Sequence, residues 1–344
     1  MEPTLAVGRR PGLDAELAQL GDPNLTAARV LAQHRGRWLV GLAAGGPPKL
    51  VAARGRLRAP GERSPTTGDW IALDAEDAIA FVLERHGVVV RRAAGAPVAG
   101  QVLAANVELV LVVEPLPDPN ERRAERIVAL ARAGDVPAAL VLTKADLDPE
   151  GAQAAPAVAR RLGLADGVAV NAHDSASVDT VMALLESGAT TVLLGPSGAG
   201  KSTLVNALLG YERQAIGAVS EANGGRGRHT TVTRDLLTLP NGALLIDTPG
   251  IREAGLWDGG GLSGTFADIE TLAARCRFSD CAHEDEPDCA VREHGDPARL
   301  AAWRKLEREQ AWIEDRRAAS LARERLGRSY KRAQSAARRA KDGR

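Results

Sequence analysis

The sequence predicts a multidomain α/β protein with three parts in series: a small β-barrel, a parallel-sheet nucleotide-binding domain and a helical metal-binding domain. Three observations predict this order. Short apolar runs separated by turn residues fill the N-terminal part, as in small barrels. Continuous apolar runs then alternate with amphipathic helical patterns, which is typical of a parallel sheet covered on both faces. All three cysteines lie in one short window further on.

Length, composition and charge set the limits of the interpretation. The chain has 344 residues, 44% of them hydrophobic, which is enough for two or three cores. No apolar run approaches the roughly 18 residues of a membrane span, and the N-terminus lacks a signal-peptide pattern, so we expect a cytoplasmic protein with no membrane segment. The formal net charge is zero.

Residues 1–27 are rich in glycine, proline and small side chains, and we expect a flexible leader there. The barrel is predicted over residues 28–98. Its expected strands are Arg37 to Leu42, Leu50 to Ala53, Trp70 to Leu73, Ala78 to Leu83 and Gly87 to Val90.

The nucleotide-binding domain is predicted over residues 99–262. Its expected strands are Leu109 to Val113, Ala138 to Leu142, Gly167 to Val170, Thr191 to Leu194 and Ala243 to Ile246. Its expected helices are Asn120 to Ala133, Ala152 to Leu162, Ser175 to Leu185 and Thr203 to Leu209.

The C-terminal part divides into a helical domain, residues 263–315, and a basic tail, residues 316–344. Asp296 and Pro297 form a helix-start pattern, which predicts a long charged helix running towards Arg325. The tail holds eleven lysines and arginines against Glu324 and Asp342, a charge of +9. It suits contact with nucleic-acid phosphates, and a solvated disordered extension fits the composition as well.

A phosphate-binding loop follows the strand at Thr191 to Leu194. Its residues fit G-x-x-x-x-G-K-S: Gly195, Pro196, Ser197, Gly198, Ala199, Gly200, Lys201 and Ser202, with Thr203 next. The glycines let backbone N–H groups surround phosphates, and Lys201 brings a positive charge to the β and γ oxygens. Ser202 supplies a hydroxyl for Mg²⁺.

A second acidic signal follows the strand at Ala243 to Ile246, where Asp247-Thr248-Pro249-Gly250 begins. If this strand neighbours the one before the phosphate loop, Asp247 holds Mg²⁺ through water, and the Gly250 N–H meets the γ-phosphate. A simple turn is the alternative interpretation.

The strand at Ala138 to Leu142 ends in a candidate base-reading loop. The loop consists of Thr143, Lys144, Ala145 and Asp146. The Asp146 carboxylate matches the N1–H and N2–H donors of guanine, which adenine lacks, and the Lys144 stem covers the ring. Asn171 and Ala172, at the end of the next strand, support the base from the backbone. A helix-initiating loop is the alternative, since the usual first residue is Asn rather than Thr.

Residues 224–232 form a glycine-rich stretch that we interpret as a switch loop. Thr230 and Thr231 carry hydroxyls suited to Mg²⁺. The spacing alone leaves His229 open between a catalytic group and a solvated loop residue.

The cysteine window contains one histidine at metal-ligand spacing. The candidate ligands are Cys276, Cys281, His283 and Cys289. Three thiolates and one imidazole match a closed, structural Zn²⁺ site. A redox pair and chance clustering are the alternatives, and His294 is interpreted as solvated.

These motifs together resemble the ribosome small-subunit-dependent GTPase A (RsgA) family over about residues 28–315. The base loop precedes the phosphate loop, with a barrel before both and a Cys3His pattern after them. Further family signatures are Gly68-Asp69-Trp70, Gln101 to Asn106, Gly227 to Thr231 and Asp247 to Glu253.

The resemblance implies an N-terminal OB-fold, a circularly permuted GTPase domain and a zinc-binding helical domain. It implies that GTP is hydrolysed to GDP with Mg²⁺, that the 30S ribosomal subunit stimulates this reaction, and that 16S rRNA is bound during late subunit maturation. Lys201 and His229 are the implied catalytic residues, and we expect a monomer. The alternatives are a non-catalytic GTP-dependent RNA-binding assembly factor and a P-loop kinase or ATPase.

Overall fold

The computed structural model describes residues 7–8, 10–34, 36–58, 64–92, 100–211, 234–248, 262, 264–316 and 318–319. The predicted switch loop, with His229, Thr230 and Thr231, lies outside these residues. Gly250 and almost all of the basic tail lie outside them as well.

Five antiparallel strands form the N-terminal barrel. They are β1 (Thr26–His34), β2 (Arg37–Leu42), β3 (Lys49–Val51), β4 (Trp70–Leu73) and β5 (Ile79–Val82), paired in the order β3-β2-β1-β4-β5. A parallel bridge between Ala53 and Ile79 joins the two ends, and the Ile79 N–H donates to the Ala52 carbonyl at 2.8 Å. The strands therefore close on themselves, as the five-stranded barrel of an OB-fold does.

A short helix precedes the barrel, so the expected loose order is wrong for part of residues 1–27. Helix α1 spans Leu13–Gln19. Leu13, Leu17 and Leu20 are spaced to share one face of a helix, and all three pack against the largest core cluster. This helical spacing outweighs the glycine- and proline-rich composition on which the expectation rested.

The middle of the chain forms a mixed sheet with helices between its strands. The hairpin β6 (Val88–Arg92) and β7 (Gly100–Ala105) leads into β8 (Leu109–Pro115), α2 (Glu121–Ala133), β9 (Ala138–Thr143), α3 (Pro149–Gln153), α4 (Ala155–Arg161), β10 (Gly167–Val170), α5 (Ser175–Met182), β11 (Thr190–Leu194), α6 (Lys201–Leu209), β12 (Asp235–Thr238) and β13 (Leu244–Asp247). The strand order is β10-β9-β8-β11-β13-β12, and only β12 pairs antiparallel. Three features differ from prediction. The strand expected at Gly87 to Val90 is part of β6, which pairs with β7 in a separate two-stranded sheet rather than with the barrel. Strands β1, β7 and β12 were not predicted, and the helix expected over Ala152 to Leu162 is split into α3 and α4. Pro156, in the first turn of α4, has no N–H to continue a helix from α3.

A buried arginine joins the barrel to the mixed sheet. Arg29 of β1 is 1% exposed, and its guanidinium donates to the carbonyls of Val7 (2.8 Å), Gly68 (3.0 Å) and Asn106 (3.1 Å) and to the hydroxyl of Thr190 (2.8 Å). Burial lowers the pKa of Arg29 to about 10. Gly68 and Asn106 belong to two of the family signatures, so those signatures meet at this junction.

The C-terminal domain contains α7 (Ala267–Ala273), α8 (Ala290–His294) and a helix α9 over residues 297–316. The Ala298 N–H donates to the Asp296 carboxylate at 2.7 Å, which confirms the predicted helix start. Among the described residues, no helix combines the length and apolar character needed to cross a bilayer.

Helix α2 holds the C-terminal domain through ion pairs. Arg299 of α9 donates to Glu125 of α2 at 2.8 Å and to Asp268 of α7 at 2.7 and 2.8 Å. Arg126 of α2 pairs with Glu309 of α9 at 2.6 Å. Helix α2 of the nucleotide-binding domain therefore connects that domain to the C-terminal domain.

Candidate functional site

The predicted nucleotide-binding motifs lie at one edge of the mixed sheet. Strands β8, β9, β10, β11 and β13 are parallel, so their carboxyl ends face the same way. The base loop follows β9, the phosphate loop follows β11 and Asp247 ends β13. Ligand sites of parallel α/β sheets lie at this edge.

The phosphate loop connects β11 to α6 in a conformation that needs its glycines. Gly198 and Gly200 have φ angles of 80° and 78°, in the left-handed region. A Cβ on Gly195 would lie 2.3 Å from the Val113 carbonyl oxygen, so a larger residue cannot occupy that position. The N-terminus of α6 follows directly, with backbone N–H groups suited to binding an anion.

Lys201 lies inside this loop. Its side chain is almost fully buried, and its Nζ donates to the carbonyls of Gly195 (2.9 Å) and Pro196 (2.7 Å). Burial lowers the pKa of Lys201, while the negative charges of Asp247 and Glu114 act against that shift. The ammonium group is therefore held where the loop would enclose phosphate oxygens.

Strand β13 lies beside the strand that carries the phosphate loop, as the Mg²⁺ prediction required. Val192 pairs with Ile246, and the Thr248 hydroxyl donates to the Leu193 carbonyl at 2.6 Å. Asp247 is half-buried at the end of β13, and Ser202 is exposed in the first turn of α6. Their role as Mg²⁺ ligands stays a prediction, and the third candidate ligand, Thr231, lies outside the described residues.

Thr143 joins the base loop to the phosphate loop. It is 2% exposed, and its hydroxyl donates to the Ala199 carbonyl at 2.6 Å. This contact is not evident from the sequence, where Thr143 stands out only as a replacement for the usual Asn. The contact sets the position of the phosphate loop relative to the residues that follow Thr143.

The rest of the base loop is accessible. Lys144 is half-buried with a left-handed φ of 58°, and Asp146 is exposed. Val170 pairs with Thr143, so Asn171 and Ala172 begin beside Lys144 at the same edge. The Asn171 side-chain oxygen accepts from the His173 N–H at 3.0 Å and builds a local turn there.

Sequence reasoning also missed a buried carboxylate at this edge. Glu114 is the next-to-last residue of β8 and is 1% exposed. Arg123, in the first turn of α2, donates its Nε to Glu114 at 2.7 Å and its Nη2 to the other carboxylate oxygen. The sequence does indicate that Glu114 is unusual, because it is a single charged residue at the end of an apolar run.

The four predicted metal ligands converge in the C-terminal domain. The ligand atoms of Cys276, Cys281, His283 and Cys289 all lie within 4.8 Å of one another. The Cys276 and Cys289 sulfurs are 3.9 Å apart, and they lie 3.6 and 3.5 Å from His283 Nδ1. Tetrahedral zinc requires separations of about 3.8 Å for two sulfurs and about 3.6 Å for sulfur and nitrogen.

The four side chains of the cluster ionise unequally. Although burial opposes it, backbone N–H groups of Val291 and Ala290 and the neighbouring thiols lower the pKa of Cys276. Burial raises the pKa of Cys281 to about 11, and burial lowers the pKa of His283. Three adjacent thiolates repel one another unless a positive charge lies between them. Three thiolates and one neutral imidazole therefore form a donor set that fits a divalent metal.

The sequence of the chain is similar to those of known GTPases. The family profile "RsgA GTPase" matches residues 82–257, just over half of the chain, and an ABC transporter profile matches residues 178–338, which include the phosphate loop. The "Small ribosomal subunit biogenesis GTPase RsgA 2" of Vibrio vulnificus is 38% identical, with 96% of this chain and 94% of the relative covered. The "Small ribosomal subunit biogenesis GTPase RsgA" of Opitutus terrae is 42% identical, with 87% and 88% covered.

Two solved structures share the fold. YjeQ from Thermotoga maritima has a TM-score of 0.59 at 24% identity, with 83% of this chain and 99% of that chain covered. YloQ, described as a circularly permuted GTPase, has a TM-score of 0.55 at 22% identity, with 86% and 96% covered.

Proposed function

This chain belongs to the RsgA GTPase family, and from that membership we propose that it hydrolyses GTP to GDP and phosphate during assembly of the 30S ribosomal subunit. One observation carries the proposal: the Thr143 hydroxyl joins the base loop to the phosphate loop. The base loop comes before the phosphate loop in the sequence, which is the permuted order of the family. GTP turnover measured with and without 30S subunits tests it.

Each predicted site residue has a role in this proposal. Lys201 and the backbone of Gly195 to Thr203 bind the phosphates, while Ser202, Thr231 and Asp247 hold Mg²⁺ directly or through water. The Gly250 N–H contacts the γ-phosphate, and Thr230 belongs to the same nucleotide site. Asp146, with Lys144, Ala145, Asn171 and Ala172, forms the guanine site.

Replacing Asp146 with asparagine should reverse the base preference. The amide no longer accepts both guanine donors, so GTP affinity falls about 10- to 100-fold, the effect expected for a lost hydrogen bond to a charged group. Xanthosine triphosphate, which carries a carbonyl at C2, should bind more tightly to Asp146→Asn than to the unchanged protein. Competition of each nucleotide with a fluorescent GTP analogue measures both changes.

Asp179→Asn is the matched control, because Asp179 is exposed on α5. It should leave both affinities unchanged. Equal GTP affinity in Asp146→Asn and Asp179→Asn would exclude Asp146 as the base-reading residue, and tight ATP binding would favour the kinase or ATPase alternative.

A side chain must orient the water that attacks the γ-phosphate, and the residue after Gly250 cannot do this. Ile251 stands where many GTPases place a water-orienting glutamine, and an apolar side chain cannot orient water. We assign that task to His229, brought to the γ-phosphate when the 30S subunit orders the switch loop. Phosphoryl transfer depends mainly on positioning and electrostatics, so ordering one loop changes the rate strongly.

His229→Ala should therefore keep GTP affinity and lose subunit-stimulated turnover by about 100-fold, a typical contribution of one positioned acid–base group. His86→Ala, an exposed histidine in the turn before β6, is the control and should keep full stimulation. Full stimulation of His229→Ala, measured as phosphate released at saturating GTP, would remove His229 from the mechanism.

The proposed partners follow from charge and fold. The barrel and the basic tail bind 16S rRNA, mainly through phosphates, since aromatic residues make up only 3% of the chain. The Cys3His cluster holds one structural Zn²⁺, and the protein acts as a cytoplasmic monomer. If GTP were only a structural ligand of a non-catalytic RNA-binding factor, 30S subunits would not stimulate turnover.

A further inference from the structure

We propose that the Thr143 hydroxyl holds the peptide group between Ala199 and Gly200 in the orientation that binds phosphate. This inference rests on the proposed function, in which the phosphate loop receives the phosphates of GTP. Thr143 acts through the backbone of that loop, so it is a positioning residue.

The Ala199 carbonyl is held by a side chain from a distant strand. Ala199 is fully buried, and its carbonyl accepts from the Thr143 hydroxyl at 2.6 Å. Thr143 is the last residue of β9, where it pairs with Val170 of β10, and its own carbonyl accepts from the Leu116 N–H at 2.9 Å. The hydroxyl therefore projects from backbone that the sheet fixes, not from the loop itself.

The same hydrogen bond sets the direction of the Gly200 N–H. The peptide bond before Gly200 is trans, and the C=O and N–H of a planar trans peptide group point to opposite sides. Because the Ala199 carbonyl points to Thr143, the Gly200 N–H points away from Thr143. Gly200 is partly exposed, and no backbone carbonyl of the described residues accepts from this N–H. It lies just before the first turn of α6, among the donors that a helix N-terminus offers to an anion.

The backbone at Gly200 does not by itself prevent this peptide group from reversing. The φ angle of Gly200 is 78°. Rotation of the group by about 180° would make φ negative, and glycine adopts either sign with similar ease. The reversed group would direct the Ala199 carbonyl oxygen to the side that the N–H now faces, and its partial negative charge would repel a phosphate. The Thr143 hydroxyl therefore selects one of two orientations that glycine permits.

The hydrogen bond can be observed by NMR in the full chain without nucleotide. Labelling alanine with ¹³C at the carbonyl and glycine with ¹⁵N selects the six Ala-Gly peptide groups of the sequence, and Ala199→Ser identifies the signal of interest by removing it. Thr143→Val, which replaces the hydroxyl with a methyl group, should shift the Ala199 carbonyl signal in the direction of a lost hydrogen bond. Thr143→Ser keeps the hydroxyl and should keep the signal in place.

Nucleotide binding gives the second readout and separates the phosphate loop from the base loop. Thr143→Val should weaken binding of GTP about 10-fold, the effect of leaving one buried acceptor without its donor. ITP lacks the amino group at C2 that Asp146 is proposed to bind, and its affinity should fall by the same factor. The ratio of GTP to ITP affinity therefore stays constant, and Thr143→Ser should restore both affinities to within about 3-fold of the starting values.

Thr67→Val is the matched control for loss of a buried hydroxyl. Thr67 precedes β4 in the barrel, is 1% exposed, and donates its hydroxyl to the Arg234 carbonyl at 2.9 Å. This variant removes the same kind of hydrogen bond away from the phosphate loop. It should change neither the Ala199 signal nor the affinity for GTP or ITP.

Three results would overturn the inference. The first is an Ala199 signal that does not move in Thr143→Val. The second is a moved signal with nucleotide affinities equal to those of Thr67→Val. The third is a changed ratio of GTP to ITP affinity, which would place the effect of Thr143 in the base loop.

A second variant keeps the proposal testable if Thr143→Val does not fold. A Cβ on Gly200 would meet only ordinary contacts, at 3.6 and 3.7 Å from Thr143, but a φ of 78° strains any residue other than glycine. Gly200→Ala should therefore favour the reversed group and weaken GTP and ITP equally, and unchanged affinities would contradict the proposal. Absence of GTP binding by the unchanged protein would instead contradict the proposed function, while the Ala199 signal still tests the hydrogen bond.

Discussion

Lys201→Ala should reduce GTP hydrolysis by about 100-fold or more, in the range found when one preorganised electrostatic contact to a transition state is removed. The side chain is the one buried ammonium group of the described residues, and it already lies against the loop carbonyls of Gly195 and Pro196. Phosphate release at saturating GTP, with binding of a fluorescent analogue measured in parallel, separates loss of turnover from loss of affinity.

Lys49→Ala is the control for this variant. Lys49 is an exposed lysine of the barrel that pairs with Asp77, far along the chain from the phosphate loop. Both variants should unfold at similar temperatures. A Lys201→Ala protein that hydrolyses GTP as fast as Lys49→Ala would show that the loop after β11 is not the catalytic phosphate site.

His283→Ala should abolish zinc binding and loosen the C-terminal domain. Structural zinc contributes folding free energy of about 10–16 kcal/mol in isolated zinc modules, and two of the four ligands, His283 and Cys289, are buried inside this domain. Zinc content by mass spectrometry should fall from one ion per chain to none. Hydrogen exchange of α7 and α8 should rise, because the ligands connect those two helices.

His294→Ala is the matched histidine control. His294 is exposed at the end of α8 and lies outside the ligand cluster, so zinc content should stay at one ion per chain. Nucleotide affinity should remain within about 2-fold in both variants, since the phosphate loop is held by β8, β9 and β11 rather than by the zinc domain. Full zinc content in His283→Ala would contradict the assigned ligand set.

The elements that could be predicted are those determined by residues close together in the sequence. The alternation of apolar runs located β2, β4 and β10 to the residue, and the helix-start pattern at Asp296 located α9. The phosphate loop was predictable because its glycines and lysine act within eight neighbouring residues. The cysteine cluster was predictable for a related reason, since ligand spacing reflects metal geometry.

The features that could not be predicted depend on contacts between distant residues. Thr143 and Ala199 are 56 positions apart, so their hydrogen bond requires knowing that β9 and β11 end at the same edge. Arg29 looks like an ordinary strand residue until Gly68, Asn106 and Thr190 surround it. Strand β12 is short, and its place beside β1 follows from the packing of the barrel on the sheet.

Helix α2 forms ion pairs with two different parts of the molecule. The same helix carries Arg123 beside the phosphate loop and Glu125 and Arg126 against the C-terminal domain. Burial raises the pKa of Glu125 to about 7, while Arg299 acts against that shift. Helix α2 therefore connects β8 to the C-terminal domain by ion pairs.

The most direct test of the central claim is the GTP turnover number of the full chain with and without purified 30S subunits. We predict slow hydrolysis alone and an increase of about 100-fold or more at saturating subunits, because one correctly positioned acid–base group contributes about 10²- to 10⁴-fold. The stimulation should be absent in Lys201→Ala. Equal turnover with and without subunits, at GTP concentrations that saturate binding, would contradict the claim that this protein is a ribosome-stimulated GTPase.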